Sequence, residues 1–130
     1  MKKKEHHWVG RKPDPVKYFG FVYEITNLAT GRKYIGKKQY QRWSKKKPVG
    51  SNKWEFYTSS SKELNEDINE MGKDWFSFKI LKNLKTRGGL SYVEANLQHK
   101  HDVLTKLDKN GDRAYYNKQI AAIRWIPKEF

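Results

Sequence analysis

The sequence predicts an α+β fold, a small three-stranded antiparallel sheet flanked by helices. Three observations lead there. Residues 21–25 and 32–37 are two short runs rich in aromatic and β-branched residues around a polar turn that holds Asn27 and Gly31. Residues 75–81 form a third, alternating run. Leu64, Ile68 and Met71, and later Val93, Leu97, Leu104 and Leu107, recur at helical spacing. The chain's 130 residues fit one domain with a modest core.

Residues 1–19 are expected to be a basic N-terminal arm, and residues 20–130 the folded domain. Lys12-Pro13-Asp14-Pro15 favours extended chain, suited to lying along a nucleic-acid backbone or to fraying. His6 and His7 are adjacent and come without ligand partners, which speaks against a metal role. In the hairpin, pairing residue 26 with residue 31 leaves a four-residue loop and sets Tyr23 opposite Tyr34. Side chains alternate faces along a strand, so only an even loop puts both phenols on one side. Two tyrosines so placed make either a phosphate-directed pair or an ordinary cross-strand aromatic contact. Gly36 is expected to end the second strand, leaving room for a ligand.

Residues 39–47 are expected to contain one helical turn, and residues 48–52 a loop by their Pro, Gly and Asn content. Arg42 carries a guanidinium that can grip a phosphate through two parallel bonds. Lys38, Lys45, Lys46 and Lys47 suit contacts to a nucleic-acid backbone, and the last three also suit a solvated charge run. Ser60 and Glu63 have capping-box spacing, and Gly72 supplies a stop for the first helix. Arg87-Gly88-Gly89 bounds the third strand. Ser91 and Glu94 repeat the capping-box spacing at the start of the second helix, which Asn110-Gly111 closes. His99 and His101, two apart on that helix, point in different directions and do not form a chelate.

Charge limits the function. Lysine and arginine outnumber acids 28 to 14, a formal net charge of +14. That excess suits a polyanion, because each phosphate neutralised releases counterions. Basic residues interleaved with Trp and Tyr that can stack on bases point to nucleic acid. The absence of cysteine excludes disulfides and thiolate-bound zinc, and fits a reducing interior. The N-terminal residues lack the apolar core of a signal peptide, and no apolar run is long enough to span a membrane, so an intracellular protein without a membrane partner is expected.

Phe21-Val22-Tyr23 and Tyr34-Ile35-Gly36, with ten residues between the tripeptides, resemble the paired signatures of the GIY-YIG nuclease family. Lys37, Arg42, Glu94 and Asn117 follow in the family's order, so the resemblance spans residues 20–122. The first tripeptide departs from the pattern, with Phe21 where the family name has glycine and Gly20 just before it. Residues 59–64 are similar to those of phage-encoded, homing-type members, and the short sequence after Asn117 implies a stand-alone catalytic domain. The resemblance implies a metal-dependent DNA endonuclease, with catalytic residues Tyr23, Tyr34, Lys37, Arg42, Glu94 and Asn117. It implies that Glu94 holds one Mg²⁺ or Mn²⁺ per site, that one tyrosine activates the attacking water, and that Arg42 stabilises charge on the phosphate. Lys37, the metal and the positive field are expected to favour the phenolate, with Tyr34, beside Lys37, the preferred base and Tyr23 orienting water or phosphate. Asn117 is expected to bond phosphate or to hold the site in register. The implied substrate is DNA, double-stranded in preference to RNA, cut by a monomer or a DNA-induced dimer. The alternative is a nucleic-acid-binding module without catalysis.

Overall fold

The computed structural model describes residues 5–127 and 129–130. Residues 1–4 of the expected arm lie outside the described residues. The sheet has four strands rather than three, and it is mixed. Strands β2 (Gly20–Asn27) and β3 (Lys33–Gln39) pair antiparallel, and β6 (Phe76–Leu84) pairs antiparallel to the other side of β2. The added strand is β1 (Trp8–Gly10), parallel to β6, so the order is β1-β6-β2-β3. Its anchor is Trp8, which is buried against Phe21, Tyr23 and Phe78. An indole buries more apolar surface than a three-residue strand otherwise could, and this draws part of the segment expected as an arm into the sheet.

Strand β2 is buried on both faces. Phe21, Tyr23 and Ile25 point with Phe76, Phe78 and Ile80 toward Leu64 and Ile68 of helix α1 (Lys62–Met71). Val22, Ile35 and Leu84 point the other way, toward Leu90 of helix α2 (Arg87–Lys100), Val103 and Tyr115. A β-bulge lets β6 serve both layers. Ile80 pairs with Tyr23 but Lys82 pairs with Val22, so Leu81 is extra and the alternation flips before Leu84.

Both helix starts differ from expectation. Ser61, not Ser60, caps α1, its hydroxyl accepting from the Leu64 N–H at 3.2 Å. Thr86 caps α2, its hydroxyl accepting from the Gly89 N–H at 3.0 Å. The helix therefore begins within the Arg87-Gly88-Gly89 run that was expected to be a boundary. The glycine fits because a side chain at Gly89 would meet the carbonyl of Glu129 at 2.5 Å, where the C-terminal residues pack. The helix ends at Lys100, well before Asn110-Gly111, and Leu104 and Leu107 are exposed.

Residues 39–52 are also a correction. In place of a helical turn and loop there is a hairpin, β4 (Gln41–Ser44) and β5 (Lys47–Ser51). Lys45 and Lys46 form its two-residue tip, with φ of 49° and 66°. Left-handed backbone at both positions matches the strand twist of a tight hairpin, although Asn-Gly adopts it with less strain than Lys-Lys.

Candidate active site at the edge of strand β3

Tyr23 pairs with Gly36, and Tyr34 with Ile25, so the two tyrosines are diagonal rather than directly opposed. The loop closes one residue later than expected, Asn27 N–H donating to the Arg32 carbonyl at 2.8 Å, while the Asn27 side-chain oxygen accepts from the N–H groups of Ala29 and Thr30. A slip of two residues preserves the faces, so the rings still lie on the same side, with centroids 6.2 Å apart. Gly36 lies within β3 rather than at its end. A side chain there would meet Tyr23 Oη at 2.5 Å and Tyr34 Cε1 at 2.7 Å. Glycine thus makes room for the phenols themselves.

Strand β3 is the edge of the sheet, and its exposed side is covered in two ways. Up to Ile35 the segment around Tyr115 continues the ladder. Lys33 N–H donates to the Ala114 carbonyl at 3.0 Å, and Tyr116 N–H to the Lys33 carbonyl at 2.7 Å. Asn117 then uses its carboxamide like a peptide unit. Its Oδ1 accepts from Ile35 N–H at 3.1 Å, and its Nδ2 donates to the Ile35 carbonyl at 2.8 Å. Beyond Ile35 the edge opens into a cavity of about 260 Å³.

Tyr23, Tyr34, Lys37 and Glu94 all line this cavity. By register, the tyrosines come from the α1 face and Lys37, paired with Val22, from the α2 face. The two faces meet around the edge strand, beside the side-chain-free Gly36. Lys37 Nζ donates to Ser91 Oγ at 2.8 Å and lies 3.9 Å from Glu94 Oε1. Since α2 begins at Arg87, Glu94 sits in the helix interior, and the capping box with Ser91 is not formed.

Burial shapes the electrostatics. The Glu94 carboxyl is held above the usual carboxylate range by desolvation, with Lys37 opposing the shift. Complete burial, then Tyr34, Tyr57 and Glu94, push the Tyr23 phenol well above 10. Burial also raises Tyr34, against a hydrogen bond with Ser60 that lowers it, while Glu94 and Tyr57 add to the rise. The ammonium of Lys37, expected to favour the phenolate, is engaged with Ser91 and Glu94.

The remaining predicted residues lie elsewhere. Arg42 is exposed on the β4–β5 hairpin and lines an adjoining cavity of about 610 Å³ with Lys38 and Lys53. Tyr57 belongs to both linings, and Lys38 Nζ stands 4.1 Å over its ring. Lys45, Lys46 and Lys47 are exposed at and beside the hairpin tip. Asn117 is buried behind β3 rather than in the cavity wall.

Sequence reasoning missed Tyr57, Ser60, Gln98 and Gln119 in the cavity wall. Ser60 was assigned to the helix cap. With Ser61 in that place, the Ser60 hydroxyl serves the phenols of Tyr34 and Tyr57. Gln98 was legible, one helical turn beyond Glu94 on the same face.

The donors present fit a hard divalent cation. Residues bearing carboxylate, phenol, hydroxyl and carboxamide oxygens line one cavity, and the Oε1 of Gln98, itself buried, has no hydrogen-bond partner among the described residues. Among those residues no group of three or more His, Cys, Asp or Glu is placed to hold a metal, so a cation bound here would keep several waters. No helix among them is long and apolar enough to cross a membrane.

Comparison with known proteins agrees with this geometry. A family model described as "Putative endonuclease segE, GIY-YIG domain" matches residues 3–120. The Enterobacteria phage T4 protein of that name is 32% identical over 108 residues, 83% of this chain. The chain spans less than half of that relative, 44% of its length. No solved structure matches significantly. With the family model covering nearly the whole chain, and with the paired tyrosines, the strand glycine and the helical glutamate around one cavity, the chain belongs to the GIY-YIG endonuclease family.

Proposed function

We propose that the chain is a divalent-metal-dependent endonuclease that hydrolyses phosphodiester bonds in double-stranded DNA. The observation that carries this is the meeting of Tyr23, Tyr34, Lys37 and Glu94 at one cavity, though they come from three elements and both faces of the sheet. Glu94 would hold a single Mg²⁺ or Mn²⁺, whose chemistry there is to stabilise charge on the phosphate oxygens and ease ionisation nearby. Once ionised to its phenolate, Tyr34 takes the proton of the attacking water. It is the less buried of the two phenols, and Ser60 offsets part of its burial penalty. Tyr23, locked under Gly36, orients the water or the phosphate.

Lys37 keeps Ser91 and Glu94 in place and adds positive charge to the cavity mouth. Arg42 binds phosphate from the neighbouring cavity, past Tyr57. Of the two roles expected for Asn117, its bonds to Ile35 support holding the site in register. Lys38, Lys45, Lys46 and Lys47 contact the backbone on either side of the cut. One such cavity cuts one strand, so the protein makes nicks as a monomer or double-strand breaks as a dimer formed on DNA.

Supercoiled plasmid tests the proposal. Conversion to nicked or linear DNA with Mg²⁺ or Mn²⁺, abolished by EDTA, is expected. Tight DNA binding without cutting in either metal would favour a binding module, a reading that the raised phenol pKa values supply some ground for.

A further inference from the structure

Gln98 stands out among the groups around the cavity because half of its side chain has no assignment. It is only 4% exposed, and it projects from α2 one turn beyond Glu94, so both line the same cavity. Its Nε2 donates to the Ile35 carbonyl at 2.9 Å. That bond fixes the orientation of the amide, since a flipped Gln98 would set its oxygen against the Ile35 carbonyl oxygen. The atom left over is therefore Oε1, and no donor among the described residues reaches it. A buried acceptor without a partner carries its full desolvation cost. The donor half shares the Ile35 carbonyl with Asn117 Nδ2, which donates to it at 2.8 Å.

We infer that Gln98 Oε1 is a second oxygen ligand for the divalent cation held by Glu94, an inference that rests on the proposed metal-dependent reading of this cavity. A carboxamide oxygen is a hard, neutral donor of the kind that Mg²⁺ and Mn²⁺ accept alongside carboxylate and water. Placed one turn from Glu94, it fixes the direction from which the cation is held, which a lone carboxylate on a flexible side chain does not. It adds no charge, so it does not further raise the phenols already disfavoured by Glu94. Its second bond, to Ile35, ties the ligand to the strand that carries Tyr34 and Gly36.

Calorimetric titration with Mn²⁺ alone, on wild type, Glu94→Gln, Gln98→Met and Gln98→Glu, tests this without reference to activity. Thermal unfolding in EDTA controls for the fold. Gln98→Met should retain the fold and bind Mn²⁺ roughly ten- to a hundredfold more weakly, the range for groups that orient metal ligands. Gln98→Glu should bind Mn²⁺ more tightly than Gln98→Met, because it returns the ligand oxygen, although its second oxygen is set against the Ile35 carbonyl. Should Gln98→Met fail to fold, Gln98→Glu decides alone, with Mn²⁺ binding kept within roughly tenfold of wild type supporting the inference and a larger loss overturning it. Wild-type affinity in Gln98→Met, with binding lost in Glu94→Gln, would overturn the second ligand while leaving the nuclease reading intact. No Mn²⁺ binding by wild type would overturn both.

Discussion

The cavity at the edge of β3 and the β4–β5 hairpin carry complementary parts of the proposed function, and they are built in opposite ways. Every side chain expected to do chemistry in the cavity is held from several directions. Tyr23 is packed by Trp8, Phe21 and Tyr57, Gly36 is filled by phenols, and Glu94 sits mid-helix beside Lys37. The hairpin is two short strands whose residues are mostly exposed, with Trp43 leaning on Phe19 as its aromatic anchor. The difference reflects what each region has to do. Proton transfer and cation binding require groups fixed to within a fraction of an ångström, whereas phosphate contacts from long basic side chains tolerate movement.

The largest effect that would sharpen this contrast is Tyr34→Phe. Removing one oxygen from the cavity wall should lower the cleavage rate by about 10²–10⁴-fold, the usual contribution of a positioned acid or base. Its thermal midpoint should stay close to wild type; a parallel loss of midpoint and rate would mean that the oxygen acts through the fold. Gly36→Ala should next destabilise by about 1–3 kcal/mol in urea unfolding, as overpacking does. The added carbon meets both tyrosine rings, so cleavage should suffer as well.

Acid should weaken the sheet rather than the hairpin. His7 stacks on Phe78 with centroids 3.9 Å apart, and burial, assisted by Lys73, lowers its pKa from 6.5 to about 3. The native state then binds fewer protons than the unfolded chain between these values. Its contribution to stability is complete above about pH 6.5 and is lost as the pH falls toward 3. His7→Phe, measured by urea unfolding across that window, should flatten the dependence, and an unchanged slope would place the titration elsewhere. The smallest effects belong to the hairpin. Lys45→Asn with Lys46→Gly suits the left-handed tip better and should leave stability equal or raised by up to about 1 kcal/mol. Its DNA affinity should lose about 0.9 of salt-dependence slope for each phosphate contact removed.

What the sequence revealed followed the range of its interactions. The hairpin, the shared face of Tyr23 and Tyr34, and Glu94 on a helix all depend on neighbours along the chain, and all were legible. The register was two residues off because Asn27, whose side chain bonds the turn, closes the loop against Arg32 one residue later than expected. Strand β1 was hidden because it is three residues long and pairs with residues about seventy positions away. Gly88 and Gly89 suggested a break, since the C-terminal residues that need their small size are distant in sequence. Lys45 and Lys46 concealed the β4–β5 turn because their left-handed backbone is uncommon for lysine. Within the cavity, the place of Gln98 one turn beyond Glu94 was legible, but its unpartnered oxygen is a property of the folded chain alone.

The most direct measurement is the single-turnover cleavage rate at saturating protein, compared for Glu94→Gln and for the triple variant Lys45→Ala, Lys46→Ala, Lys47→Ala. The separation of chemistry from grip predicts that Glu94→Gln binds DNA yet cuts about 10²–10³-fold more slowly at saturation. The triple variant should need more protein to saturate and then cut at the wild-type rate. A triple variant that stays slow at saturation, or a Glu94→Gln that cuts at full rate, would contradict the account.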